Sequence, residues 1–100
     1  MQYFVIGDQD TVLGFSLVGV FGMQATNPDE AKAAWSKALA DKENGIIIIT
    51  EDVADMIRAT VDRYLFAESF PLVVEIPAAR GDGKQRDLRA LVNQAIGVSL

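Results

Sequence analysis

The sequence predicts an α/β domain: a four-stranded parallel sheet with helices on both faces, followed by a carboxyl-terminal amphipathic helix. Two observations carry this reading. IGDQDTVLGFSLVGV, Ile6 to Val20, ends one apolar strand, turns through two carboxylates and runs into a helix and a second strand. NGIIIITEDV, Asn44 to Val53, repeats strand, acidic turn and helix start. Apolar runs near positions 3, 21, 47 and 74 then recur at intervals of 18 to 27 residues. A parallel neighbour needs a crossover of about a dozen residues or more, so this is βα spacing.

The first strand is Gln2 to Gly7, where Tyr3, Phe4, Val5 and Ile6 make a continuous apolar run of the kind found when both sheet faces are covered. Gly7 ends it and Asp8 caps a helix carrying Val12, Leu13, Phe15, Ser16, Leu17 and Val18, which is too apolar for a clean amphipathic stripe. That helix is expected to stop near Gly19, with the second strand over Val20 to Gln24. Asn27, Pro28 and Glu30 supply a capping side chain, a proline at the first helical position and a capping-box glutamate. Ala31, Ala34, Trp35, Ala38 and Leu39 recur at helical spacing, so the second helix runs to about Asp41. Its Trp35 is expected against the sheet rather than on a stacking platform.

Gly45 punctuates, and Ile46 to Ile49 are four consecutive β-branched residues, the clearest central strand. Thr50 is expected to cap a single third helix with Glu51 and Asp52 in its first turn and Val53, Ile57, Val61 and Leu65 on its buried face. That helix ends around Phe66 to Ser69. Leu72 to Ile76 is the fourth strand, stopped by Pro77. Right-handed crossovers with one reversal give the strand order 2-1-3-4, a small flavodoxin-like sheet. Residues 1–77 form the globular domain. Residues 78–100 are a charged, glycine-bearing hinge around Gly81 and Gly83 and a last helix over Asp87 to Ile96.

One hundred residues, half of them hydrophobic, suit one domain. The net charge of −5 repels phosphate backbones and anionic lipid, which argues against nucleic acid as a partner. The charge is uneven: residues 1–79 carry −7 and residues 80–100 carry +2. Without cysteine or histidine there is no disulfide, thiolate, imidazole base or soft-metal ligand, and no cofactor is expected. No signal peptide is visible, and the apolar span Val12 to Met23 falls short of the ~18 residues a membrane helix needs. A cytoplasmic chain is expected.

Three constellations could carry chemistry. Asp8 and Asp10 after the first strand, with Thr50, Glu51 and Asp52 after the third, would meet at the carboxyl edge, where such sheets bind ligands. This looks like a response-regulator receiver, and the alternative function it implies is a degenerate signalling domain holding magnesium at Asp8, Asp10 and Asp52. Yet Thr50 and Glu51 stand where an acceptor aspartate belongs, and no lysine follows the fourth strand; helix capping explains the same residues. Gly81, Asp82, Gly83 and Lys84 hint at a phosphate loop, but Ala78 and Gln85 break the required pattern. In the tail, Leu88, Leu91, Val92, Ala95 and Ile96 form an apolar seam beside Arg80, Lys84, Arg86 and Arg89. The seam suits a helix closing its own sheet or a detachable helix docking on another.

Taken together, IGDQDTVLGFSLVGV, GIIIITEDVADMIR (Gly45 to Arg58), FPLVVEIP (Phe70 to Pro77) and LVNQAIGV (Leu91 to Val98) resemble the F subunit of V/A-type ATP synthases over nearly the whole chain. The resemblance implies a non-catalytic component of the central rotor stalk, bound to the coiled-coil D subunit inside the ring of catalytic A and regulatory B subunits. Such a protein is cytoplasmic and peripheral to the membrane, with no insertion of its own, in a complex that moves protons or sodium. The regulatory tail would be Asp87 to Ile96, its interface drawn from Arg86, Leu88, Arg89, Leu91, Val92 and Ile96.

Overall fold

Four strands and four helices alternate in the computed structural model, which describes residues 1–78. They run β1 (Gln2–Gly7), α1 (Gln9–Ser16), β2 (Phe21–Gln24), α2 (Pro28–Ala40), β3 (Asn44–Thr50), α3 (Glu51–Met56), α4 (Arg58–Ala67) and β4 (Leu72–Ile76). All strands are parallel, in the predicted order β2-β1-β3-β4. The expected hinge and last helix lie outside the described residues.

Register divides the sheet into two sides. Rows Phe21–Phe4–Ile47–Val73 and Met23–Ile6–Ile49–Glu75 face one way; the rows of Val5 and Tyr3, which include Ile48, Val74, Ile46 and Leu72, face the other. On the first side Ile6, Ile47 and Ile49 join Ala31, Ala34, Trp35 and Ala38 of α2, Val53 and Ala54 of α3 and Val61 of α4 in one buried cluster. Trp35 packs as expected and meets the Tyr64 ring edge-on at 5.5 Å. Helix α1 packs over β1 and β2 on the second side, where Thr11 would lie 3.5 Å from a methyl group added to Gly7.

Local chemistry explains the helix starts. Asp8 accepts from the Thr11 amide at 3.2 Å and from its hydroxyl at 2.6 Å, capping α1. Asn27 Oδ1 accepts from the Glu30 amide at 2.8 Å, with Pro28 at the first helical position. Glu30 reaches back one residue further than a capping box, accepting from the Thr26 amide and hydroxyl, each at 2.8 Å. These bonds hold its carboxyl below the usual range.

Four expectations need correction. Helix α1 ends at Ser16, and residues 17–19 form a turn completed by Gly19 at φ +88°, a conformation glycine adopts freely. β3 begins at Asn44, so Gly45 lies inside a strand rather than ending a loop. Thr50 makes no capping hydrogen bond; its side chain turns inward, and a methyl group on Gly7 would lie 2.7 Å from its Cγ2. The single third helix is broken at Ile57 (φ −128°, ψ 39°). A stripe at every fourth residue drifts about 40° per step around a 3.6-residue helix. The break turns α4 so that Val61 returns to the core, while Leu65, expected to be buried, is 45% exposed.

Candidate functional site

The carboxyl ends of β1 and β3 bring Asp8 and Thr50 to the same edge, as expected for a doubly wound sheet. Both Asp8 oxygens are engaged by Thr11, and Asp52 Oδ1 accepts from the Val53 amide at 2.9 Å. Among the described residues no three carboxylates, Asp8, Asp10 and Asp52 included, converge in a way that could hold a metal ion. The Thr50 hydroxyl is buried without a hydrogen-bond partner among the described residues.

The other notable surface is apolar. Leu13, Leu17, Val18 and Phe21 are 58%, 80%, 76% and 67% exposed and follow one another from α1 into the amino end of β2. Phe66, Phe70 and Leu72 form a second exposed set where α4 gives way to β4. Chains that stay alone rarely expose so many large apolar side chains in neighbouring groups. The excess of apolar residues in α1 was the signal of the first set. Nothing local marked the second, because Phe66 and Phe70 fit a buried helix end equally well on pattern alone.

Below Phe21 an open groove at the amino edge of the sheet is lined by Tyr3, Phe4, Val20, Lys37 and Asp41. Asn44 closes its floor: its Nδ2 donates to the Ala38 carbonyl at 2.9 Å and its Oδ1 accepts from Gln2 at 3.1 Å. On the opposite flank Tyr64 Oη donates to the Pro71 carbonyl at 2.8 Å, with burial and then the Glu68 charge pushing its phenol above the ordinary value.

The tail residues Arg86, Leu88, Arg89, Leu91, Val92 and Ile96, and the hinge residues Gly81 and Gly83, lie outside the described residues. No helix among the described residues is long and apolar enough to cross a membrane.

Residues 4–92 match the family described as ATP synthase (F/14-kDa) subunit. The chain is 34% identical over 99 residues to the F subunit of the A-type ATP synthase of Methanosphaera stadtmanae, covering 96% of this chain and 92% of that one. It is 35% identical over 99 residues to the corresponding A-type protein of Methanothermobacter thermautotrophicus, with the same coverage. The F subunit of the V-type ATP synthase of Clostridium botulinum is also 35% identical, over 96% of this chain and 93% of its own length.

Proposed function

The chain belongs to the family of the ATP synthase (F/14-kDa) subunit, and from that premise we propose that it is the non-catalytic F subunit of the central rotor stalk of an A/V-type ATP synthase. In this role the α/β domain grips the coiled-coil D subunit and turns with it inside the ring of catalytic A and regulatory B subunits. The complex works at the cytoplasmic side of the membrane, without insertion of this chain.

One observation supports the reading above the others. A tightly closed core sits beside two groups of exposed large apolar residues, Leu13, Leu17, Val18 and Phe21, and Phe66, Phe70 and Leu72. A coupling element needs that combination. A close-packed interior transmits load without creeping, and apolar anchors on its surface supply interface strength. The family match runs to residue 92, through the hinge and into the seam of Leu88, Leu91 and Val92. The seam and its flanking Arg86 and Arg89 form the tail interface, which modulates ATP hydrolysis.

Size-exclusion chromatography of the purified chain with its D subunit tests the assignment. A stable complex at micromolar concentration is expected, and two independently eluting proteins would refute it. Truncation after Pro77 should weaken assembly or change regulation of the ATPase while leaving the domain folded. If the truncated chain unfolds, the tail is a closing helix of its own fold.

A further inference from the structure

β4 is the last strand of the described residues, and among them it is bonded to β3 alone. An edge strand held by one ladder resists a pull on its end poorly, because its hydrogen bonds break in succession rather than together. Its penultimate residue is Glu75, in the row Met23–Ile6–Ile49–Glu75 on the helix-covered side. A carboxylate in an otherwise apolar row is costly unless it is paired.

Arg58 pairs it as a fork. Nη1 donates to Oε2 at 2.7 Å and Nη2 to Oε1 at 3.0 Å, two bonds that fix orientation as well as distance. The same guanidinium donates to Asp55 Oδ1 through Nη2 at 2.6 Å and Nε at 3.1 Å, and to Asp62 Oδ1 through Nη1 at 3.2 Å. Asp55 belongs to α3, Asp62 to α4, and Arg58 follows the break at Ile57. One side chain therefore ties two helices to the last strand. Asp55 and Asp62, three and four residues away, would satisfy a helix-surface arginine without Glu75.

We propose that the Arg58 fork is a mechanical clamp that keeps the carboxyl end of β4 in the sheet when the chain beyond Pro77 is pulled. The clamp deepens the rotor reading, since it rests on the tail bearing load there. Its location fits: it grips one residue before the strand ends, and it passes force to α3 and α4 rather than to the β3 ladder alone.

Single-molecule pulling on the full-length chain tests the clamp, and the absence of native cysteine allows clean attachment. With handles at Asp52→Cys and Leu100→Cys, force peels β4 from β3 at its carboxyl end. With handles at Gln9→Cys and Asp52→Cys, it passes between β1 and β3. Glu75→Gln, close in shape, should open about tenfold faster at fixed load in the peeling geometry and within about twofold of the parent in the other. Asp62→Asn, which loses a contact confined to α4, should stay within about twofold in both.

Equal loss in both geometries would make the fork an ordinary contribution to stability and overturn the proposal. So would an unchanged peeling rate with new self-association, which would make Glu75 a guard against edge pairing. Failure of the rotor reading shows separately, as loss of D-subunit binding, and leaves the pulling result standing.

Discussion

On the side of the sheet facing α2, α3 and α4, Ile6, Ile47 and Ile49 are fully buried, whereas on the other side Tyr3, Leu72 and Val74 are 49%, 54% and 38% exposed. The residue types are alike, and Tyr3 shares β1 with Ile6, whereas Leu72 and Val74 lie on the edge strand β4. What differs is the helices: among the described residues three elements cover the first side, while α1 packs over β1 and β2 on the second. Ile46 and Ile48 of the central strand differ from Ile47 and Ile49 for this reason, although the run Ile46 to Ile49 reads as uniformly internal. Burial here belongs to the layer above a residue, so apolar surface on the thinly covered side can serve contacts beyond the domain.

The largest expected effect sharpens that comparison. Ile47→Ala should cost about 3–4 kcal/mol in urea unfolding, as a deletion in a closed interior does, against less than about 1 kcal/mol for Val74→Ala. Equal losses would mean that both sides are interior. Gly22→Ala comes next, at about 2 kcal/mol. A methyl group at Gly22 would collide with the Val5 backbone, which cannot swing aside as a side chain can.

Thr50→Val should raise stability by about 1 kcal/mol, since it replaces a buried hydroxyl that has no partner among the described residues by a methyl group of similar size. A loss instead would show that the hydroxyl makes a bond in solution. Leu17→Ser and Phe66→Ser should change stability by less than about 0.5 kcal/mol, because both side chains are largely in water. Both should weaken the complex with the D subunit, measured by calorimetric titration. Full-strength binding by both would remove the exposed apolar groups from the interface.

The smallest effect is electrostatic. Hydrogen bonds from the Thr26 hydroxyl and amide hold the Glu30 carboxyl below the ordinary carboxylate range. Its contribution is therefore fully present above the unfolded-state value and is lost as pH falls through the lower folded value. The urea midpoints of the parent and Glu30→Gln should differ at neutral pH and converge in acid. A gap that persists below the folded value would place the effect in side-chain shape rather than charge.

How much was legible varied with the range of the interaction. The strand order followed from crossover length and handedness, and the caps at Asp8 and Asn27 from residues within three positions of each other. Trp35 could be assigned to the sheet because its neighbours on the helical wheel are small and apolar. The break at Ile57 was hidden, because Val53, Ile57, Val61 and Leu65 satisfy a single-helix pattern. The Glu75 fork was equally hidden, since its partner is seventeen residues away. Thr50 misled because its type suits a cap, while the space left by Gly7 on the neighbouring strand drew its side chain inward.

From its sequence alone this protein is a parallel, doubly wound α/β chain with net negative charge over residues 1–79, net positive charge over residues 80–100 and the order of segments that marks its family. Those properties reside in periodicity, capping and charge, which act over a few residues or over the chain as a whole. Tertiary structure alone decided which of two equally apolar sides of the sheet is closed, which large side chains are left in water, and which carboxylate Arg58 grips. Each of these depends on elements distant in sequence competing for the same space, and that competition has no local signature.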